Sequence, residues 1–257
     1  MKDIRGLPVR AKRRSRPSLR ARLRTYWIVS AVVASLIIWG GVAIVRWNGF
    51  CPRDVSIEGT ARVAPADVEQ AAAVDHHANI WLANIGAMER RIEAIPYVAV
   101  ARVHRRLPAS VTIDVVERTA DGCVRFAGRP PEDDVMVDAT RRVLASGCES
   151  APKLRYLVHG APVPPGRTLP AGDLATLQSD RRALTLLGRD FTTFSLDRFG
   201  GLDATLPDGI AVRFGDDEDL GEKERLIGPV LAAVADRLDA VRAVDVRAPS
   251  APVVDYR

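Results

Sequence analysis

The sequence predicts an α+β protein in three parts: a single transmembrane helix, a small mixed domain, and a C-terminal, mainly antiparallel β domain with flanking helices. Three observations support this order. Residues 25–45 carry no charged side chain, residues 53–118 alternate between strand and helix patterns, and short alternating segments prevail from residue 121 onward. The length of an apolar run distinguishes a transmembrane helix, and the spacing of apolar residues distinguishes the helices and strands of a folded domain.

The uncharged run at residues 25–45 is the candidate transmembrane helix, which we bound at 25–46. At about 1.5 Å per residue it would span roughly 30 Å, the thickness of a bilayer's hydrocarbon core. A cleaved secretory signal is the alternative. The run is longer than the usual apolar region of such a signal, and no clear Ala-x-Ala site follows it. The sequence therefore favours a permanent anchor.

Basic charge is concentrated ahead of this helix. Residues 1–24, the predicted cytoplasmic tail, contain ten Lys or Arg residues and one acid. The positive-inside rule therefore predicts a single-pass type II protein with residues 47–257 outside the cytoplasmic membrane. The rest of the chain has 27 basic and 31 acidic residues, a net charge of −4. The basic excess thus indicates contact of the tail with an anionic lipid bilayer, and no nucleic-acid partner is expected.

Residues 53–118 predict the order strand, helix, helix, strand, strand. The first strand pattern ends at Gly59, and the second helix pattern ends before Pro96. Two alternating segments follow, at 98–105 and 110–117. Because alternation puts every second side chain on one face, we expect one face of this sheet to pack on the helices.

This region resembles the POTRA domain of the bacterial division protein family FtsQ, also called DivIB, and we bound it at 53–120. The resemblance rests on VSIEG followed by NIWLANIGAMERRIEAIPYVAVARVHRRLPASVTIDVVER. The positions that carry the family pattern are Gly59, Pro96 with Val98, Ala101 with Val103, Arg105 with Pro108, and Glu117 with Arg118. The Pro that usually follows Glu-Arg in the family is absent here.

Residues 121–257 predict the β domain. Alternating segments occupy 123–127, 135–137, 154–158, 192–196, 202–206 and 210–214, and helices are predicted at 174–187 and within 220–238. The end of this region also resembles FtsQ, with Lys223 in a helix and Asp245 and Arg247 in an Asp-x-Arg strand. Two departures stand out. Pro229 predicts a kink or split in the last helix, and Arg141 stands after Asp138 where the family has Gly.

Residues 251–256 predict a last strand at a sheet edge, where unpaired N–H and C=O groups invite a partner. Pro252 lacks an N–H and therefore suits an edge. We expect Val253 and Tyr256 to face one way, with Val254 and Asp255 facing oppositely. The resemblance makes these residues candidate contacts of the division protein FtsB. The alternative is a strand that only closes the domain's own sheet.

The cysteines predict one disulfide outside the cytoplasm. Cys123 begins a strand, and a hairpin through residues 128–134 would bring Cys148 beside it in an oxidising compartment. Two unpaired thiols are the alternative. Cys51 is expected to stay unpaired near the membrane.

No catalytic, metal-binding or cofactor-binding residue is predicted. His76 and His77 are adjacent and so point in different directions, and the acidic residues 216–219 lack the alternating ligand positions of a calcium loop. No Gly-rich phosphate loop or activated nucleophile is recognisable.

Two function classes remain. The resemblance implies a non-catalytic scaffold of the divisome in the bacterial inner membrane at the division septum. Such a scaffold binds FtsB and FtsL, contacts other divisome and septal cell-wall synthesis proteins, and links early to late division proteins. The alternative is a membrane-anchored, peptidoglycan-modifying enzyme, for which we would expect a polar cleft with convergent titratable groups.

Overall fold

The computed structural model describes residues 19–45, 48–106, 108–149 and 153–257. The tail residues 1–18 lie outside this range. The α-helices are α1 (Leu19–Val45), α2 (Pro65–Ala72), α3 (Ile85–Glu93), α4 (Gly172–Leu186) and α5 (Leu220–Ala233). The strands are β1 (Asp54–Glu58), β2 (Val98–Arg106), β3 (Ser110–Glu117), β4 (Ala120–Phe126), β5 (Val135–Asp138), β6 (Val143–Ser146), β7 (Arg155–Val158), β8 (Thr193–Leu196), β9 (Leu202–Thr205), β10 (Ala211–Gly215), β11 (Val241–Asp245) and β12 (Val253–Tyr256).

Helix α1 is the apolar N-terminal helix, 27 residues long. Its window Tyr26–Ala43 is long and apolar enough to cross a membrane, and it is the one such helix among the residues described. Its large apolar side chains, such as Ile38 and Trp39, are exposed. A helix of this composition is stable in lipid because it satisfies its own backbone hydrogen bonds.

The first domain, which we define as β1 to β3 with α2 and α3, has the strand order β1-β3-β2. Strand β1 runs parallel to β3, and β2 runs antiparallel to it. One face packs on the two helices and buries Val68, Ile92, Val98, Val111 and Ile113 completely. The predicted β-α-α-β-β order is confirmed, as is the α+β fold class.

The second domain, from β4 onward, is one nine-stranded sheet in the order β12-β11-β10-β9-β8-β7-β4-β5-β6. Five of its eight strand pairs are antiparallel and three are parallel. Helices α4 and α5 contribute Leu177 and Ile227 to its core. In that core Phe191 meets Phe194 and Phe214 edge to face, with ring centroids 5.7 and 5.9 Å apart, which is the favoured aromatic geometry.

The junction between the two domains is short and tied by side chains. Strand β3 ends at Glu117 and β4 begins at Ala120. Between them, Arg118 donates from Nη1 to Asp138 Oδ2 at 2.7 Å and from Nε to the Val98 carbonyl at 3.0 Å. Asp138 is 4% exposed, so this ion pair is largely removed from water. The junction is therefore a defined contact between the domains.

Two local expectations from the sequence are resolved by backbone geometry. Helix α5 continues through Pro229 to Ala233, and a 3₁₀ helix follows at Ala235–Ala240, so the break comes after Ala233 and not at Pro229. Arg141 has a φ of 67°, the left-handed conformation that Gly adopts most easily. The Asp138 carboxylate accepts from Thr140 N and Arg142 N, and these hydrogen bonds hold the turn without the Gly.

Candidate partner-binding edge

Strand β12 forms one edge of the nine-stranded sheet. It pairs with β11 alone within the part of the chain that the structure describes. Pro252 is exposed and immediately precedes the strand, so its missing N–H costs the ladder nothing. The predicted last strand is therefore present, and its other side has no paired strand among the described residues.

The register fixes which way each side chain of β12 points. Val254 lies opposite Val244 and packs on the hydrophobic core, whereas Val253 lies opposite Asp245 and is 59% exposed. Because residues two apart share a face of a strand, Val253 and Asp255 lie together on the face away from the core. This corrects both expected groupings, because Val253 faces away from Tyr256 and Val254 faces away from Asp255.

Asp255 contacts two arginines, one from the adjacent strand β11 and one from the next strand, β10. Its Oδ2 accepts from Arg242 Nη2 of β11 at 2.8 Å and lies 3.4 Å from Arg213 Nη1 of β10. The pairs are partly exposed, so each contributes only about 0–1 kcal/mol. They hold the Asp255 side chain beside two guanidinium groups at the edge of the sheet.

The sequence did not indicate these two arginines. The β11–β12 register shifts between Val241 and Ala243, so a simple alternation along β11 does not place Arg242 beside Asp255. Arg213 comes from a strand whose neighbours are set by the whole sheet. No local charge pattern pointed to them, because β9, β10 and β11 together contain two Arg and two Asp residues.

Backbone direction shows which groups of β12 are free. Arg257 N donates to the Ala240 carbonyl at 2.8 Å, so this residue points toward β11. Alternate residues of a strand point their N–H and C=O groups to the same side. Val253 and Asp255 therefore also point toward β11, and Val254 and Tyr256 point their backbone groups to the open side.

Two other sheet edges are covered. At β6, Val143 N donates to the Arg167 carbonyl and Gly166 N donates to the Val143 carbonyl, both at 2.8 Å. At β2, Ala101 N donates to Glu93 Oε1 at 3.2 Å and Val103 N to Glu89 Oε1 at 3.0 Å. Covering an edge in this way prevents pairing with another chain, and β12 lacks such cover among the described residues.

Cys123 and Cys148 are joined by a disulfide with a Cα–Cα distance of 5.8 Å. Asp134 lies close enough to make the three a conceivable metal-binding set. In the disulfide neither sulfur is a thiolate, and Asp134 pairs with Arg125 at 2.8 Å, so the arrangement does not fit a metal ion. Cys51 is a free thiol whose Sγ donates to the His77 carbonyl at 3.4 Å.

Several surface cavities contain titratable side chains, and one of them pairs a histidine with a carboxylate. It has a volume of about 90 Å³ and lies at the start of α4, where His159 Nδ1 is 3.2 Å from Asp173 Oδ2. The other lining side chains are apolar, or the residue is Gly or Pro. A histidine–carboxylate pair without a nucleophile or an oxyanion donor has only part of what acyl transfer needs.

The comparisons with known proteins point to one family. Residues 50–118 match the model of the FtsQ-type POTRA domain. Proteins named cell division protein FtsQ match from Streptomyces bingchenggensis, at 24% identity over 96% of this chain and 91% of that protein, and from Streptomyces collinus, at 29% over 90% and 88%. That of Myxococcus fulvus matches at 32% identity over 33% of this chain and 31% of its own length. The chain is therefore a membrane-anchored cell division protein related to FtsQ, with an FtsQ-type POTRA domain next to its membrane helix.

Proposed function

We propose that the chain is a non-catalytic scaffold of the bacterial divisome that binds FtsB and FtsL, with FtsB adding a strand to β12. The open edge at β12 is the observation that carries this proposal. A partner strand there would pair with the backbone groups of Val254 and Tyr256. Alternate side chains would supply specificity, as in other cases of strand addition.

The proposal assigns the parts of the chain as follows. Residues 1–24 form the cytoplasmic tail, 25–46 the membrane helix, 53–120 the POTRA domain and 121–257 the β domain that ends in the binding edge. The ten basic residues of the tail support this orientation. Residues 47–257 would then face the compartment where the septal wall is made, and would also contact FtsL and the cell-wall synthesis proteins.

The chemistry of the edge defines the partner segment that fits it. Tyr256 is 46% exposed and Val253 59% exposed, so each offers apolar surface to a neighbouring strand. Arg242 is exposed beside Asp255 and would attract an acidic side chain on the face away from the core. The partner strand is thus expected to be extended, partly apolar and acidic on one face.

The test is co-purification of FtsB and FtsL with the full-length membrane protein. Deleting residues 251–257, or making Tyr256→Asp, should abolish FtsB capture while the POTRA domain stays folded. Ser146→Asp at the covered β6 edge is the matched control and should retain it. Unchanged FtsB affinity of the truncated protein would place the binding site elsewhere.

A second pair of variants separates backbone from side chain. Tyr256→Ala removes the ring but keeps the outward N–H, whereas Tyr256→Pro removes both. Losing one inter-chain hydrogen bond is worth about 1 kcal/mol, or roughly fivefold in Kd. Strand addition therefore predicts that Tyr256→Pro binds FtsB about fivefold more weakly than Tyr256→Ala. Equal affinities would mean that the partner does not pair with this backbone.

A further inference from the structure

The first domain carries exposed apolar side chains on a rigid turn. A 3₁₀ helix at Ile80–Leu82 buries Ile80 but leaves Trp81 42% and Leu82 68% exposed. Trp81 N donates to Asn79 Oδ1 at 2.9 Å, and Ala83 N donates to the Ile80 carbonyl. These bonds fix the turn, so the two side chains are held in solvent by the fold.

Contacts with the linker place this turn at the membrane end of the domain. His76 Nδ1 is 3.1 Å from the Pro52 carbonyl, and Cys51 Sγ donates to the His77 carbonyl. Pro52 follows the end of α1 by seven residues, a reach of at most about 25 Å for an extended chain. The loop that leads into the turn therefore contacts Pro52 and lies within about 25 Å of the end of α1.

The strand register places Arg105 and Arg106, the last two residues of β2, at the same end. Asp54 at the start of β1 and Arg106 at the end of β2 both lie opposite Ser110, the first residue of β3. The opposite end of this sheet, at Glu117, leads into the second domain. The domain thus has a membrane end and a far end along its strands.

Arg105 joins the turn to this end of the sheet. Its guanidinium carbon is 5.7 Å from the centre of the Trp81 ring, and its Nη2 donates to the Ala83 carbonyl. Arg106, the next residue, is exposed. The combination of an indole ring, an aliphatic side chain and cations matches the headgroup region of a bilayer, where Trp is enriched and Arg meets lipid phosphate.

Nearby acidic residues do not remove the positive charge that would attract lipid phosphate. Asp75 and Asp54 are exposed at the same end. Arg53 is exposed there as well, and with Arg105 and Arg106 it gives these five side chains a net charge of +1. Tethering also matters, because a surface anchored a few residues from the bilayer meets lipid at a high effective concentration. A contact too weak to recruit a soluble protein is sufficient here.

We propose that Trp81, Leu82, Arg105 and Arg106, named here the membrane-facing patch, rest in the headgroup layer of the bilayer that α1 crosses. The patch then fixes the tilt of the POTRA domain on the membrane. Because β3 continues from the far end into β4, the second domain stands on the side of the POTRA domain away from the lipid. The binding edge is thereby held at a set height above the membrane.

Lipid quenching of Trp81 in the full-length protein tests the proposal. Trp27, Trp39 and Trp47 are changed to Phe, so that Trp81 is the one remaining indole. The protein is placed in nanodiscs of phosphatidylcholine and phosphatidylglycerol whose acyl chains are brominated near the headgroup. We expect Trp81 emission to be quenched by the brominated lipid, shifted to shorter wavelength and protected from aqueous iodide.

The matched control moves the indole to a site far along the chain. Leu186 is 87% exposed on α4, and Leu186→Trp in a Trp81→Phe background should be quenched by iodide and not by lipid. If Trp81 behaves like this control, the patch lies in water and the proposal fails. A protein partner cannot mimic the expected result, because the discs contain no other membrane-inserted protein.

A second variant tests the patch itself. Leu82→Asp with Arg106→Gln changes only exposed side chains and should lower lipid quenching of Trp81. Iodide quenching should rise at the same time. Lipid quenching that this double change leaves intact would contradict the proposal, since Trp81 would then reach lipid without the patch.

Discussion

Asp138 is one of the residues that join the two domains, through its ion pair with Arg118. Its carboxylate accepts from Thr140 N and Oγ1, both at 2.7 Å, from Arg142 N at 2.9 Å and from Arg118 Nη1. Burial alone would raise the pKa of Asp138, but the hydrogen bonds from Thr140, Arg118 and Arg142 outweigh it, so the pKa lies below the usual 3.8. The folded state therefore stabilises the ionised carboxylate of Asp138.

Removing this carboxylate should destabilise the junction. Asp138→Ala leaves Arg118 without its buried partner, and breaking such a pair costs about 3–5 kcal/mol. Asp133→Ala is the matched control, because Asp133 pairs with Arg129 at the surface and should cost less than about 1 kcal/mol. The measurement is the free energy of unfolding of the two variants. Similar losses for both would refute the role of Asp138.

The pH dependence follows from the sign of the shift. A carboxyl with a lowered folded pKa stabilises the protein above its unfolded pKa, and that contribution is lost as pH falls through the folded value. The gap in unfolding free energy between the protein and Asp138→Asn should therefore be constant near neutrality. It should narrow in acid, below about pH 4.

Asp180 shows the opposite shift. Burial, with the charge of Asp217 nearby, raises the pKa of Asp180 to about 6. Its ionised form is therefore disfavoured by folding, and Asp180→Asn should raise the unfolding free energy at pH 7.5 by about 1–2 kcal/mol. The gain should shrink as pH falls from about 6 to about 4, and it should vanish below the unfolded pKa of about 3.9, where the carboxyl is protonated in both states. A gain that is unchanged at pH 4.5 would show that ionisation is not its cause.

At the scale of elements, the edge strands β2, β6 and β12 are protected differently. Glu89 and Glu93 occupy backbone N–H groups of β2, and residues 166–169 run beside β6. Strand β12 has a hydrogen-bonded neighbour on one side among the described residues. Since an uncovered edge invites association, β12 is one edge where association is expected, and β1, which pairs with β3 alone among the described residues, is the other.

The disulfide anchors the strands farthest from β12. Cys123 is the residue of β4 opposite Met136, and Cys148 follows β6. Closing a loop of this length is worth about 2–4 kcal/mol. Cys123→Ser with Cys148→Ser should lower the unfolding free energy by that amount, and a reducing agent should destabilise the native protein alone. Equal sensitivity of both proteins to the reductant would contradict the bond.

At the scale of the molecule, the apolar helix, the first domain and the second domain follow one another along the chain. Helix α1 leads to the first domain, and two residues join β3 to β4 of the second. This continuity, with the Arg118–Asp138 pair, makes the position of the binding edge depend on the first domain. Strand β12 is thus connected to the first domain through the second sheet, the two-residue link and the Arg118–Asp138 ion pair.

The orientation of the chain across the membrane is a property of the whole molecule. The charge of residues 1–24 predicts that residue 257 lies outside the cytoplasm. A reporter that is active only in the cytoplasm, fused after Arg257, should be silent, and one that is active only outside should work. Cytoplasmic activity of the first reporter would overturn the orientation.

The sequence predicted what depends on local pattern. A long apolar N-terminal helix and the β-α-α-β-β order follow from run length and period, and both are observed. Strand order was out of reach, because β7 lies between β4 and β8 through contacts distant in sequence. The facing of Asp255 and its pairing with Arg213 and Arg242 were missed for the same reason, since they depend on the register and shift of β11.

Amide hydrogen exchange along β12 tests the account most directly. The full-length protein in lipid nanodiscs is compared with and without FtsB at single-residue resolution. Strand addition predicts strong new protection at Val254 N–H and Tyr256 N–H, which point to the open side. The amides of Val253 and Asp255 already bond to β11 and should change less. Tight FtsB binding with no new protection at Val254 and Tyr256 would contradict the account.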